Sequence, residues 1–240
     1  MKTILCFLLL IGSVAQQDLF YDAGYEAYKK GEMATSEEER IDHFNKALSF
    51  YLQYDKREAS GFVLFNIANT YFQLKEYGLA IAYYHKARKM LPRDERIMRN
   101  LLKATAKAGV THEGRALFFS SYERKLLLLA FFISACIFFS LFLWWRLVSC
   151  VYLASICICA CLFFFSDLLY HSFRADEAVV IQTTLLLESP IEQPRAGEDV
   201  LLISGNLVEV LDSQEQGEYF FARLPSGRKG YIKIKHLRII

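Results

Sequence analysis

The sequence predicts a multidomain membrane protein, in which an α-helical domain is followed by a transmembrane helical hairpin and a small C-terminal β-barrel. Three observations predict this fold class. Residues 126–165 contain a single charged side chain, Arg146. Residues 18–108 contain one proline and show the apolar periodicity of amphipathic helices. Residues 178–240 consist of short β-rich runs separated by turn residues.

Composition narrows the possible function. The 240 residues carry 28 basic and 26 acidic side chains, so no overall positive field points to nucleic acid. The hydrophobic fraction of 54% is above the usual soluble range of about 45–50%. All six cysteines lie in apolar stretches, so the polar segments have no disulfide framework. Cys157, Cys159 and Cys161 permit a metal or acylation site, but small apolar residues of a membrane span are the favoured interpretation.

The first 15 residues have the pattern of a secretory signal peptide. A basic Met1-Lys2 precedes the apolar run Thr3–Ile11, and Ser13-Val14-Ala15 is a small-residue cleavage signal. The apolar run is shorter than the roughly 20 residues needed to cross a bilayer. We therefore expect a mature chain that begins near Gln16 outside the cytoplasm, with an uncleaved interfacial anchor as the alternative.

Residues 16–110 are predicted to form a helical repeat domain, with its clearest unit at Gly61–Asp94. This 34-residue unit closely resembles a tetratricopeptide repeat, a pair of packed helices with small and aromatic residues at fixed positions. The matching residues of its first helix are Leu64, Ile67, Ala68 and Tyr71; those of its second helix are Tyr77, Ala80, Tyr84 and Ala87, followed by Pro92. Small residues at these places permit close approach of the two helices.

The flanking units resemble the same repeat less closely. Residues 24–32 resemble a first helix, and Phe44, Ala47, Phe50 and Tyr51 resemble its second helix. About four extra residues, at 35–39, are predicted to lengthen the connection. Residues 97–108 resemble the first helix of a third unit and are expected to cap the stack.

First helices of such repeats line a groove, so we predict a peptide- or partner-binding groove on this domain. Its candidate residues are Phe62, Phe65, Asn66, Asn69, Phe72, Gln73, Arg96 and Asn100. In some relatives Asn and basic residues at these positions bind a terminal carboxylate. Phe62 replaces a base here, so a general protein groove is favoured over such a clamp. The basic run Lys86–Lys107 is either a solvated face or a contact for headgroups or an acidic partner.

A linker at residues 111–125 leads into the apolar segment. A single helix over residues 126–165 would be about 60 Å long, twice the hydrocarbon thickness. Two spans at about 126–143 and 147–165 are therefore predicted, with a turn at Trp144-Trp145-Arg146. One span with a re-entrant helix is the alternative. A hairpin places both flanking domains on one side of the membrane.

Two signals disagree about which side that is. Arg124 and Lys125 precede the first span, and only Arg146 lies in the turn, so the positive-inside rule places the flanks in the cytoplasm. The signal peptide places them outside. We favour the outside because the signal acts first during insertion.

The C-terminal domain, residues 175–240, is predicted to form five or six short strands in a small barrel. Its strand candidates are Val179–Ile181, Leu185–Leu187, Val208–Leu211, Tyr219–Arg223 and Gly230–Ile234. Their order resembles a bacterial SH3-like (SH3b) domain, above all at Ala222–Ile232 with its Pro225-Ser226-Gly227 turn. Glu188-Ser189-Pro190 matches the usual ligand element of that family only in part. Such modules are typical of extracytoplasmic bacterial proteins.

The order of these segments resembles the BatE-type proteins of the Bat aerotolerance operon. The resemblance implies a scaffold in the bacterial inner membrane. The signal peptide and the SH3b-like domain favour soluble domains that face the periplasm. The resemblance also implies partners: Bat-type membrane proteins with von Willebrand A domains and a MoxR-type ATPase. The alternative function is a cell-envelope module whose SH3b-like domain binds peptidoglycan. No catalytic motif, metal-ligand pattern or cofactor motif is present in the sequence, so we expect neither an enzyme nor a cofactor.

Overall fold

The computed structural model describes residues 19–55, 60–111, 119–145, 148–173, 176–187, 200–212 and 218–240. These residues form two compact units. One combines residues 19–111 with 176–240, and the other comprises 119–173. The predicted signal peptide, part of the linker, Arg146 in the predicted turn and Glu188-Ser189-Pro190 lie outside the described residues.

Five helices form the repeat domain. Helix α1 covers 19–33 in its described part, α2 is Glu37–Asp55, α3 is Gly61–Gln73, α4 is Tyr77–Met90 and α5 is Glu95–Ala108. Helices α3 and α4 correspond to the complete repeat predicted at Gly61–Asp94. Ala68, Ala80 and Ala87 are fully buried between them, as close approach of two helices requires. Tyr71 stacks on Tyr83, with 5.4 Å between the ring centroids.

The connection before α2 is shorter than predicted. The extra residues at 35–39 were assigned to a long connection, but only 34–36 separate α1 from α2. Ser36 accepts a hydrogen bond at 3.2 Å from the Glu39 backbone N–H, which caps the helix start. Glu37, Glu38 and Glu39 then form the first turn, where negative charge is favourable. The additional residues therefore lengthen the helix instead of the loop.

Helix α5 ends the repeat domain with well-defined caps. Asp94 accepts a hydrogen bond from the Arg96 backbone N–H at 3.0 Å, and Gly109 closes the helix in the left-handed conformation. One face, with Ile97, Leu101 and Ala104, is fully buried. The opposite face carries exposed basic side chains, so α5 has the amphipathic character expected of a terminal helix.

The described C-terminal residues (176–187, 200–212 and 218–240) form antiparallel strands, here together called the β-module. Its strands are β1 Asp176–Val180, β2 Thr184–Leu186, β3 Val200–Leu202, β4 Leu207–Asp212, β5 Tyr219–Arg223, β6 Lys229–Lys233 and β7 Leu237–Ile239. The order in the main sheet is β6-β5-β4-β1-β7, and β2 pairs with β3 in a separate hairpin. Among the described residues, the bridge between Leu187 and Tyr231 links the hairpin to β6. Strands β3 and β7 were not among the predicted strands.

The predicted small β-barrel is present only as an antiparallel sheet that is not closed, since the edge strands β6 and β7 of the described residues do not pair with each other. Alternate residues of β1 enter two different cores. Ala178 and Val180 are buried in the core of the sheet. Val179 is buried in the core of the repeat domain, where Leu207 and Ile240 also pack. The β-module therefore shares one of its faces with the core of the repeat domain.

Two glycines permit this close contact. A side chain at Gly78 in α4 would overlap Ser204 and approach the backbone of Ile181 to 3.0 Å. Gly205 has φ +105°, and a side chain there would meet Ile81. Both positions bring the β-module loops against the repeat domain, so the two parts form one compact unit.

The second unit consists of two long apolar helices, α6 (Ser121–Trp145) and α7 (Val148–Phe173). A reciprocal pair of hydrogen bonds between Ser120 and Glu123 caps the start of α6. Phe131 stacks on Phe164, and Arg124 forms an ion pair with Asp167 at 3.5 Å. The two helices therefore pack side by side in opposite directions.

Both helices are long and apolar enough to cross a membrane. The apolar stretches are Tyr122–Trp145 and Val148–Tyr170. They extend beyond the predicted spans at 126–143 and 147–165, because α6 begins at its Ser120 cap and α7 continues past Phe165. Most of their apolar side chains are exposed.

Candidate functional site

A groove of about 230 Å³ opens on the repeat domain, between α1, α3, α4 and α5. It is lined by Tyr28, Asn69, Phe72, Gln73, Tyr84, Asn100 and Lys103. Four of the eight predicted site residues therefore lie together in one cavity: Asn69, Phe72, Gln73 and Asn100. The repeat geometry explains this, because residues three and four apart share one face of a helix.

A hydrogen-bond network centred on Asn69 forms the floor of the groove. The Asn69 Oδ1 atom accepts a hydrogen bond from the Tyr84 hydroxyl at 2.7 Å. The same oxygen accepts a second hydrogen bond from Asn100 Nδ2 at 2.9 Å. This fixes which way both carboxamides face, because the shared oxygen needs two donors. The Asn69 amide N–H groups and the Asn100 Oδ1 atom have no hydrogen bond within the described residues, so they are free for a ligand.

Two tyrosines of α1 contribute a second row of contacts. Tyr21 accepts a hydrogen bond from Asn66 Nδ2, and Tyr28 accepts one from Gln73 Nε2, each at 3.4 Å. The tyrosines are seven residues apart, as are their amide partners, which places each pair on one helix face. Asn66 therefore belongs to the inter-helix contact beside the groove.

The remaining predicted residues lie outside the cavity lining. Phe65 packs against Tyr84, with 6.0 Å between the ring centroids. The Arg96 guanidinium lies over the Phe65 ring, 5.8 Å from its centroid. Arg96 is also held by two side-chain hydrogen bonds to Asp94, so its charge is partly neutralised. Phe62 is 52% exposed and does not line the groove.

Sequence reasoning did not include three groove residues. Tyr84 was interpreted only as a packing residue of the repeat, Tyr28 lies in a degraded unit, and Lys103 was counted only in the basic run. A signal for Lys103 was available, because it follows Asn100 by three residues and so shares its helix face. Tyr28 and Tyr84 required the folded chain, since they approach α3 from other helices.

The electrostatics of the groove combine neutral donors with one positive charge. Burial raises the pKa of the Tyr84 phenol well above its usual value and raises that of Tyr28 as well. Both hydroxyls therefore stay protonated over the physiological range. Lys103 is exposed and has no ion pair within the described part of the chain. The groove thus offers amide and hydroxyl groups beside an unneutralised ammonium group.

A larger cavity, of about 470 Å³, lies where the repeat domain meets the β-module. It is lined by Lys75, Glu76, Tyr77, Leu79, Lys107, Ala108, Ile181, Gln182, Ile203 and Ser204. The nearby cation Lys75 is paired with Glu37 at 2.7 Å. None of the predicted groove residues lines this cavity. Within the described residues, no group of three or more His, Cys, Asp or Glu side chains is placed to hold a metal ion.

Packed helix pairs with a polar groove on their first helices define a helical-repeat class of interaction domain. Comparison with protein families agrees: the tetratricopeptide repeat family matches residues 62–94, which span α3 and α4. The chain therefore contains a tetratricopeptide repeat, a motif that indicates protein–protein interaction. A search of curated proteins found no match to this chain.

Proposed function

We propose that this protein is a membrane-anchored scaffold that binds a protein partner through the groove of its tetratricopeptide repeats. The network of Asn69, Tyr84 and Asn100 carries this proposal. It presents unused amide groups in an open cavity, in positions already fixed by hydrogen bonds to the domain. Binding sites with such preorganised polar groups lose little side-chain entropy when a ligand arrives. We propose a non-enzymatic role, because the groove provides recognition chemistry alone.

Anchoring in a membrane is the second part of the proposal. The helices α6 and α7 leave most of their apolar side chains exposed, which is unfavourable in water and typical of lipid contact. Together with the sequence pattern of a signal peptide, this supports an inner-membrane protein whose soluble domains face the periplasm. Alkaline phosphatase fused after Ser120 and, separately, after Ile240 tests this orientation. Activity of both fusions is expected; two stable but inactive fusions would reverse the orientation.

The finer identity of the scaffold follows from resemblance. The segment order is similar to that of BatE-type proteins, so we propose a Bat-type aerotolerance or envelope-stress complex. Its proposed partners are Bat-type membrane proteins with von Willebrand A domains and a MoxR-type ATPase. The observation in favour is the combination of a tetratricopeptide repeat, two apolar helices and a C-terminal antiparallel sheet in one chain.

The β-module supports a second candidate function. A hairpin inserted between β1 and β4, and a 3-10 turn at Ile234–His236 before β7, are similar to the order of elements in SH3-like domains. On this proposal the module is SH3b-like and binds peptidoglycan. Full-length protein in detergent should then co-sediment with purified cell-wall sacculi, and absence of co-sedimentation at high protein concentration would count against it. We favour the groove of the repeat domain over the β-module as the binding site, because the polar groups of the groove lie among the described residues.

Site-specific photo-crosslinking in living cells tests the groove directly. A photoreactive residue at Phe72, inside the groove, should give a discrete crosslinked product with a partner protein. The same residue at Glu38, on the exposed surface of α2, is the matched control. The double substitution Phe65→Ala and Asn69→Ala should remove the crosslink from position 72. An undiminished crosslink in the double variant, or equal products at both positions, would refute partner binding by the groove.

A further inference from the structure

We propose that the repeat domain binds a second copy of this chain, with α1 of one copy packed antiparallel on α5 of the next. Each copy then presents α1 to one neighbour and α5 to another, so the contact is head-to-tail. This inference goes beyond the proposed function, because it concerns the two ends of the repeat domain, whereas the proposed partner occupies the groove between them.

Helix α5 has an exposed face where the complete repeat has a buried one. Leu102 follows Ala68 by 34 residues, the period of the repeat, so the two side chains hold equivalent positions on their helices. Ala68 is fully buried beneath α4, the second helix of its repeat, whereas Leu102 is 46% exposed. In the described part of the chain, no second helix of the repeat follows α5. The surface on which such a helix would pack is therefore available to another helix.

The exposed faces of α1 and α5 carry rows of charge with the same spacing. Each row consists of three exposed charged side chains, four residues apart: Asp22, Glu26 and Lys30 on α1, and Glu95, Arg99 and Lys103 on α5. Residues four apart share one face of a helix and are separated by about 6 Å along its axis. The two rows can therefore meet along their whole length when the helices lie side by side.

The signs of these charges select one direction of packing. In an antiparallel pair every charge faces one of the opposite sign: Asp22 faces Lys103, Glu26 faces Arg99 and Lys30 faces Glu95. A parallel pair that matches both acids of α1 with Arg99 and Lys103 would bring Lys30 against Lys107, where like charges repel. Antiparallel is also the direction in which the second helix of a repeat packs on the first. A second copy of α1 therefore fits the open face of α5.

These charges are not used within the chain. Neighbouring charges on both helices are paired, Lys29 with Glu32 at 3.4 Å and Arg96 with Asp94 at 2.6 Å. By contrast, none of the six charges in the two rows forms an ion pair within the described residues. They remain available to a neighbouring molecule, so the association needs no internal ion pair to be broken.

An exposed apolar side chain accompanies each row. Tyr25 precedes Glu26 on α1 and is 45% exposed, and Leu102 precedes Lys103 on α5. An apolar centre with a charged rim is the usual arrangement of a protein interface. A second copy of this chain therefore supplies both the opposite charges and the apolar contact that each end presents.

Sedimentation velocity of the full chain in a neutral detergent tests the contact. The wild type should associate as protein concentration rises, and high salt should weaken that association. Glu26→Arg and Arg99→Glu each bring like charges together, so each should raise the concentration needed for half-association by about tenfold or more. An equimolar mixture of the two variants should associate like the wild type, because every contact between unlike variants again joins opposite charges.

Two variants with the same changes in charge are the matched controls. Glu38→Arg replaces an exposed acid on α2, and Arg228→Glu replaces an exposed base between β5 and β6, so both should associate like the wild type. Glu26 and Arg99 are exposed and do not line the groove. Their substitution should therefore leave both the fold and the groove unchanged.

Four outcomes would overturn the inference: a wild type that stays monomeric at every concentration, variants that associate like the wild type, a mixture that does not recover association, or control variants that lose it. Loss of association in Arg99→Glu but not in Glu26→Arg would show that α5 contacts something other than α1 of a second copy, and would also overturn it. The proposed function fails separately, because its crosslink at position 72 depends on neither Glu26 nor Arg99.

Discussion

Replacing Asn69 with alanine removes the oxygen that two other groove residues share. The Tyr84 hydroxyl, on a side chain only 1% exposed, then loses its acceptor, and so does the Asn100 amide. A buried donor without a partner costs about 1–3 kcal/mol. Tyr84→Phe has a different consequence, since Asn69 Oδ1 still accepts from Asn100. We expect that substitution to cost about 1 kcal/mol.

The double variant, Asn69→Ala with Tyr84→Phe, isolates the contribution of the hydrogen bond between the Tyr84 hydroxyl and Asn69 from the other consequences of each substitution. In a chain that already carries Tyr84→Phe, the further substitution Asn69→Ala leaves no hydroxyl without a partner. The sum of the two single costs should therefore exceed the cost of the double variant by about 1–2 kcal/mol. Alanine is also a better helix former than asparagine by about 0.5 kcal/mol. This gain is the same in the single variant Asn69→Ala and in the double variant, so it cancels in the comparison.

Hydrogen exchange measured on peptides from α3 and α4 of the full chain reports the local free energy of opening. This assay avoids the assumption that a chain with two compact units unfolds in one step. Fully additive single effects would show that the Tyr84 hydroxyl and Asn69 do not interact. That result would refute the network on which the proposed groove depends.

Three further predictions concern other parts of the chain. Gly78→Ala should destabilise the repeat domain by about 1–3 kcal/mol in hydrogen exchange, because the alanine side chain overlaps Ser204. This effect should exceed the gain of about 1 kcal/mol that alanine brings to a helix. A stabilised variant would contradict the close contact. Arg124→Ala should lower the stability of the helical hairpin in detergent unfolding, because it removes the ion pair with Asp167 from a side chain that is only 12% exposed, and an unchanged stability would contradict this. Burial raises the pKa of Asp55, so ionisation of this carboxyl opposes folding as pH rises through the raised pKa. Asp55→Asn should therefore raise the melting temperature at pH 7. This gain in melting temperature should disappear at pH 3.

The repeat was predictable because its pattern depends on local spacing. Ala68, Ala80 and Ala87 are small where two neighbouring helices touch, and this constraint is visible within 34 residues. The two apolar helices were predictable for a similar reason, since length and hydropathy alone decide them. The ends of these two helices were not predictable, because the cap formed by Ser120 and Glu123 sets the start of α6.

The packing of the β-module on the repeat domain could not be predicted from the strands alone. Val179 reads as one more apolar residue of a short strand, and nothing local indicates that it enters the core of another domain. The same limit applied to the groove. Asn69 and Asn100 were found from repeat spacing, whereas Tyr84 required knowledge of which second-helix side chain reaches the first-helix face. Contacts between residues that are distant in sequence decide both the packing of the β-module and the lining of the groove.

The contact between the β-module and α4 constrains how the scaffold can work. Arg238 of β7 donates a hydrogen bond at 2.9 Å to the Tyr83 hydroxyl and lies over the same ring, and Lys89 donates to the Ile240 carbonyl at 2.8 Å. These bonds attach the end of the β-module to α4. The groove, which α1, α3, α4 and α5 line, lies elsewhere on the repeat domain. A partner can therefore occupy the groove while the β-module stays in place, so the module acts as a fixed part of the repeat domain and need not be displaced for binding.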